Sequence, residues 1–420
     1  MNTKLKSSYY RKKYSSLIAN SGSLFSIKTV DLFLGFWMIP FLILKVGLHN
    51  YGVYAFAMAL AWFFVNLLNY GFNLSAVREI ATSKKEALEL STIFNNVFWV
   101  KLFLFFLLYP TYLILVYNVP QFSQYKTLYI YSSLLLFGDL FSLRWLFMGL
   151  EKMQFIALIH LIGTSIYVIL VYYYIESPVD FFKIPLFQGI GMIFTSLISF
   201  VWIVKKYKIK MKRIPFKQVL MYLKINFSSF INLLLPSTYG SVLVFIVGWV
   251  GLPIQVSFIH IGIKFTAAFS TLNNVLTNVF FPIANRKKNS LKSIRKALNT
   301  IGLAMSLLMF LIASYLVKYW LPFESSLQLE NTIAVLQLLS PVPFLMALNS
   351  SYGVNGLLVV YKDSLYGIIT LCSSLIMVIL AFVLVPNTLF LGGAIAFLIG
   401  RTVYALLSFY FFKKSTEYAK

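Results

Sequence analysis

Lys205-Lys206-Tyr207-Lys208-Ile209-Lys210-Met211-Lys212-Arg213-Ile214-Pro215-Phe216-Lys217 places seven basic residues and no acidic one between two long apolar runs. Working outward from it, apolar runs lie near 23–44, 50–73, 92–117, 127–148, 155–175 and 182–204 on the N-terminal side. On the C-terminal side they lie near 219–248, 256–283, 298–317, 332–353, 365–385 and 388–412. Each is about 20 residues or longer, enough to cross the hydrocarbon core of a bilayer as a helix. Of the 36 Lys and Arg residues, 26 fall in the terminal segments and in every second gap, while the other gaps hold only Lys45, Lys126, Lys183 and Lys318. By the positive-inside rule this alternation predicts an even number of spans with both termini cytoplasmic.

The composition agrees with an all-α polytopic membrane protein of about twelve spans: 60% of residues are hydrophobic and 11% charged. A net charge of +24 would suit nucleic acid in a soluble chain. Here topology accounts for it, and no nucleic-acid partner is expected. Clusters such as the one at 205–217 suit the anionic headgroups of membrane lipids. The single cysteine, Cys372, excludes an intrachain disulfide and sits in an apolar run as a packing residue. The first span lacks a small-residue cleavage site and reads as a retained helix. No gap is long enough for a soluble domain; the basic ones are expected to be short connectors or interfacial helices. The chain has no phosphate-binding loop, no H-E-x-x-H and no G-x-S-x-G, so neither a nucleotide, a metal nor another cofactor is expected.

The stretch 205–217 divides the spans six and six, giving an N-terminal bundle at 1–204, a basic cytoplasmic linker at 205–217 and a C-terminal bundle at 218–420. Because six is even, the two halves would share one orientation, as in parallel-repeat transporters. Gly47 to Arg78 and Gly251 to Arg286 show a weak internal similarity, ending in Tyr70-Gly71-Phe72 and Phe280-Phe281-Pro282. Coincidence between two apolar segments explains that match almost as well.

Six basic residues lie within spans or at their edges: Lys28, Lys101, Arg144, Lys224, Lys264 and Arg401. Against them stand two carboxylates, Asp31 and Asp139. A charge at mid-bilayer costs about 3 kcal/mol on insertion scales, so such residues normally face a cavity or a partner. The surplus of cations suits a lumen that receives an anion. For Arg144 and Lys224, near span ends, snorkelling to the headgroups is the plainer alternative. At about 100° per residue, Lys28 and Asp31 share a helix face and can neutralise each other. His260 and Lys264 share a face and concentrate positive charge, although a lone helical His is more often a hydrogen-bonded packing residue. Asp139 and Arg144 point about 140° apart, so Asp139 needs a partner from another helix, water or a coupling cation.

Tyr51-Gly52-Val53-Tyr54 and Asn69-Tyr70-Gly71-Phe72-Asn73-Leu74-Ser75-Ala76-Val77-Arg78-Glu79-Ile80-Ala81 closely resemble the second-helix region of Wzx-type polysaccharide repeat-unit flippases. Arg144-Trp145-Leu146-Phe147-Met148-Gly149-Leu150-Glu151-Lys152-Met153 resembles the exit of the fourth span, with Met148 where many relatives carry Gln. Pro341 to Gly356, with Asn349, Tyr352-Gly353 and Asn355-Gly356, resembles a tenth-span motif. The resemblance implies two six-helix bundles around a central cavity, as in the multidrug and oligosaccharidyl-lipid exporter superfamily, and a transporter rather than an enzyme. It implies as cargo an oligosaccharide on undecaprenyl pyrophosphate, an O-antigen or similar repeat unit of lipopolysaccharide biosynthesis, crossing a bacterial inner membrane. A polysaccharide polymerase and a chain-length regulator are the implied protein partners.

On that reading Lys28, Lys101, Lys264, Arg401 and His260 are the expected cargo-binding residues. Arg78, Glu79 and Arg144 are the expected gate or headgroup contacts, and Asp31 and Asp139 the expected sites for a coupling H⁺ or Na⁺. A cation-coupled small-molecule exporter shares the fold but would favour a carboxylate-rich cavity. A membrane polymerase or ligase would need a long outer loop, which the sequence lacks.

Overall fold

The computed structural model describes residues 37–83, 86–286, 291–360 and 362–417, and within them every regular element is helical. Helices follow from the medium: in lipid a backbone N–H or C=O has no water to bond, so it must be satisfied within its own segment. Among the described residues eight helices are long and apolar enough to cross a membrane, and Phe216–Leu234 with Tyr239–Val250, bent by 68°, makes a ninth.

The difference from twelve has physical causes. The helix Trp37–Thr82 joins the described end of the first expected span to the second and carries Gly47 at φ 79°, where a right-handed helix cannot continue. Asp363–Glu417 covers the last two and breaks at Leu389, φ 53° and ψ −128°. Pro253–Arg286, the eighth expected span, is helical throughout, but His260, Lys264, Asn273, Asn274 and Thr277 make it more polar than its neighbours. The layout is consistent with twelve helices.

Of the two forms expected for the stretch after Lys206, the interfacial helix is not adopted and the short connector is: non-helical chain, entered through Lys208 at φ 49°. It lies along Ala87–Asn118, where Asn95 works as a two-sided clamp. Its Nδ2 donates to the Lys210 carbonyl at 2.8 Å and its Oδ1 accepts from the Lys212 amide at 3.0 Å. Ser91 Oγ accepts from the Lys210 amide at 3.1 Å, and Trp99 Nε1 donates to the Lys212 carbonyl at 2.8 Å. The weak internal similarity is not carried into structure either. The chain breaks at Tyr70 and Gly71, φ 42° and 75°, whereas residues 280–282 continue a helix.

Helices of each half pack mainly on their own side, Met153–Tyr174 along Lys183–Lys206 and Phe216–Val250 along Asp363–Glu417. Large apolar side chains such as Phe106, Ile114, Leu311 and Phe382 are exposed, as a lipid-facing perimeter requires. The halves meet where Phe216–Val250 crosses Phe72–Thr82 and Ala87–Asn118. They meet again where the segment around Leu48–Phe56 touches Phe245–His260.

Candidate functional site: the space between the two halves

Two layers of contact join the halves, one at each end of the second span. In the first, the Tyr51 hydroxyl and His260 Nδ1 lie 3.0 Å apart with ring centroids at 5.5 Å, and Ser257 Oγ donates to the Leu48 carbonyl at 2.6 Å. Phe56 packs on Phe245 at 5.4 Å. Gly52 is required here by proximity, since a Cβ would stand 1.8 Å from the Pro253 carbonyl oxygen.

In the second layer Tyr222 donates to the Glu79 carboxylate at 2.6 Å, and Tyr70 stacks on Phe230 at 4.5 Å with an interplanar angle of 10°. Phe72 stacks on Tyr222 at 5.9 Å. Gly71 meets two demands, a left-handed φ and backbone of Ser229 within 2.5 Å of where a Cβ would be. The 19 residues between Tyr51 and Tyr70 rise about 28 Å at 1.5 Å each, close to the thickness of a bilayer core.

His260 is turned toward the N-terminal half by its contact with Tyr51. Lys264 follows one turn later on the same face and is exposed. His260 and Lys264 are thus brought together as the helical spacing predicts, but His260 serves as a hydrogen-bonded contact between halves.

Lys101 is corrected. It is not an open lumen cation: its side chain is 2% exposed, and its Nζ lies 2.9 Å from Asp139 Oδ2 and also donates to the Asp139 carbonyl. Asn69 Nδ2 donates to the other carboxylate oxygen at 3.1 Å. Asp139 therefore finds its partner in another helix, and a coupling cation at its carboxylate would have to displace Lys101. The extra demand on the Asp139 carbonyl coincides with the broken fourth span, which runs as Lys126–Ser132, Leu134–Leu140 and Arg144–Gly149.

Arg78 and Arg144 are both exposed, and Glu79 is half-buried. The motifs that carry them converge: Gly149 packs directly on Ile80, and Trp145 is buried beside Phe94 at 6.4 Å. Lys28 and Asp31 lie outside the described residues.

Arg401 is not brought to Lys264. It lines a cavity of about 400 Å³ inside the C-terminal half, bounded by side chains from the five helical stretches that carry Tyr239, Asn274, Asn349, Thr370 and Arg401. The third motif supplies part of this wall, with Asn349 Oδ1 accepting from Ser408 at 2.8 Å. Tyr51 and Gly52 were inside a motif visible in the sequence. Tyr222 and Phe230 carried no signal, because each is one aromatic residue among many in an apolar run.

Residues 17–287 match the polysaccharide biosynthesis protein family. A protein of Escherichia coli (strain K12) named "Putative O-antigen transporter" is 27% identical over 371 residues, covering 86% of this chain and 88% of the relative. Among solved structures, the lipid II flippase MurJ in an inward closed conformation aligns with a TM-score of 0.72 at 17% identity, over 94% of this chain and 87% of that one. An inward-facing multidrug resistance MATE family transporter of the MOP superfamily aligns at 0.59 and 15% identity, over 91% and 98%. At such identities the structures establish the fold alone. With its family match and its membrane-spanning helices, the chain is a multi-pass membrane protein and belongs to the polysaccharide biosynthesis protein family.

Proposed function

We propose that the protein flips an oligosaccharide carried on undecaprenyl pyrophosphate from the cytoplasmic to the periplasmic leaflet of a bacterial inner membrane. It does so by alternating access, with both termini and the 205–217 linker cytoplasmic. The halves 1–204 and 218–420 act as the two moving bodies. One observation carries this reading: the halves touch through two separate contact layers at opposite ends of the second span, with an exposed Lys264 one helical turn from the His260 of the first. Separate layers can break one at a time, which is the requirement of a pathway never open at both ends.

Within that space Lys264, in a low-dielectric setting, supplies the positive charge that a pyrophosphate needs, and a charge-assisted hydrogen bond there is roughly twice as strong as a neutral one. The Tyr51–His260 layer becomes the periplasmic latch and the Tyr222–Glu79 layer the cytoplasmic one, with Arg78 and Arg144 at the headgroup level where cargo enters. The polyprenyl tail stays in lipid. Lys101, neutralised by Asp139, holds the N-terminal half together rather than binding cargo.

The test is Lys264→Ala against Lys264→Arg at matched expression. The alanine variant is expected to lose most surface polysaccharide and the arginine variant to keep it, because charge is needed before shape. Full display in Lys264→Ala would remove this residue from the cargo path.

A further inference from the structure

The cavity inside the C-terminal half lies outside the proposed cargo path, and its lining has a consistent chemical sense. Arg401 is its cation. The guanidinium sits over the Tyr239 ring at 4.2 Å and near Phe397 at 5.1 Å, and its Nε is buried with no hydrogen-bond partner among the described residues. The Tyr239 hydroxyl is likewise buried without a partner. The Tyr366 hydroxyl accepts from Asn349 Nδ2 at 3.4 Å and lies 2.7 Å from the Tyr404 hydroxyl, which lies 3.1 Å from Thr370 Oγ1. Thr370 gives its own proton to the Tyr366 carbonyl at 2.9 Å, so this chain of hydroxyls is satisfied within itself.

Two donors thus remain: one N–H of Arg401 and the O–H group of Tyr239. Among the described residues no Asp or Glu lines the cavity. A buried charge requires a partner of opposite sign, and buried donors require acceptors. A metal cation or a proton is repelled by Arg401, because a guanidinium is permanently charged and accepts no hydrogen bond.

We propose that this cavity is a binding site for a small inorganic anion, held by Arg401 and Tyr239 and distinct from the cargo-binding role of Lys264. The anion is the counter-charge that lets Arg401 stand inside a membrane-embedded bundle. At about 400 Å³ the cavity admits a halide with water or a free phosphate group. The proposal stands whether or not the cargo is a lipid-linked sugar.

Purified protein in detergent is titrated with sodium chloride, and separately with sodium phosphate and inorganic pyrophosphate, against sodium gluconate at constant ionic strength, and thermal unfolding is followed. A ligand that binds only the folded state raises the midpoint in a saturable way. The expected result is saturable stabilisation by chloride or phosphate, weakened at least tenfold in apparent affinity by Arg401→Gln and kept in Lys264→Ala. Tyr239→Phe, which keeps the ring under the guanidinium and removes one donor, is expected to weaken it severalfold, and it serves alone should Arg401→Gln not fold. Stabilisation lost in Lys264→Ala but kept in Arg401→Gln or Tyr239→Phe, or confined to pyrophosphate, would place the anion in the space between the halves and overturn the proposal. An absence of any saturable anion effect overturns it as well.

Discussion

Lys101 and Asp139, on helices that cross inside the N-terminal half, form a buried ion pair with Nζ 2.9 Å from Oδ2, and Asn69 saturates the second carboxylate oxygen. Two charges the sequence assigns to separate tasks thus share one structural role. The pair ties the third span to the break in the fourth.

Removing one partner leaves the other buried and uncompensated, which typically costs about 3–5 kcal/mol. Lys101→Met and Asp139→Leu are each expected to lower the thermal midpoint and the folded yield sharply. The double variant should recover much of that loss, since an apolar pair leaves no orphan charge. Additive losses in thermal unfolding of the purified proteins would show that the two charges do not act as a pair.

The two contact layers predict opposite responses. Tyr51→Phe removes the hydroxyl facing His260, and Tyr222→Phe removes the donor to Glu79. A net hydrogen bond is worth about 1 kcal/mol and one to a charged group about 1.5–3, so populations should shift roughly fivefold for the first and more for the second. A reporter cysteine at Ala267, exposed on the face of Lys264, in a Cys372→Ser background reads this. Membrane-impermeant reagent should label it faster from one side in Tyr51→Phe and from the other in Tyr222→Phe. Equal change from the same side in both variants contradicts the two-latch arrangement.

Gly71 separates backbone strain from crowding. Asn tolerates a left-handed φ, so Gly71→Asn relieves the first problem but leaves Ser229 backbone at 2.5 Å from the new Cβ. Both Gly71→Ala and Gly71→Asn are therefore expected to loosen the Tyr70–Phe230 stack and to reduce surface polysaccharide. Wild-type behaviour of Gly71→Asn would show that conformation, not close approach, explains the glycine.

Asn95→Ala releases both backbone bonds of the linker clamp. Trypsin should then cut within Lys205–Lys217 several times faster, because cleavage needs a freed extended strand. In spheroplasts the site should stay protected and in inverted vesicles become cleavable, as the cytoplasmic assignment requires. Cleavage in intact spheroplasts would reverse the orientation.

The one-dimensional pattern was enough for the fold class, because spanning a bilayer is a local constraint. A run of about 20 apolar residues must be a helix, and Lys and Arg between runs must sort to one side. The motifs at 51–54, 69–81, 144–153 and 341–356 also marked real meeting places: Gly52 and Gly71 at the two contact layers, Gly149 on Ile80, and Asn349 in the C-terminal cavity. What the sequence alone could not assign was the partner of each charge. Lys101 and Asp139 are 38 residues apart, Glu79 and Tyr222 are 143 apart, and Tyr51 and His260 are 209 apart. Helical periodicity relates residues only within a turn or two, so Asp139 could be compared with Arg144 but not with Lys101. Only tertiary packing decided that Lys101 is neutralised by Asp139 and that Arg401 lines a cavity in the C-terminal half. The reason is that Coulomb and hydrogen-bond partnerships act over a few ångströms of space, whatever the distance along the chain.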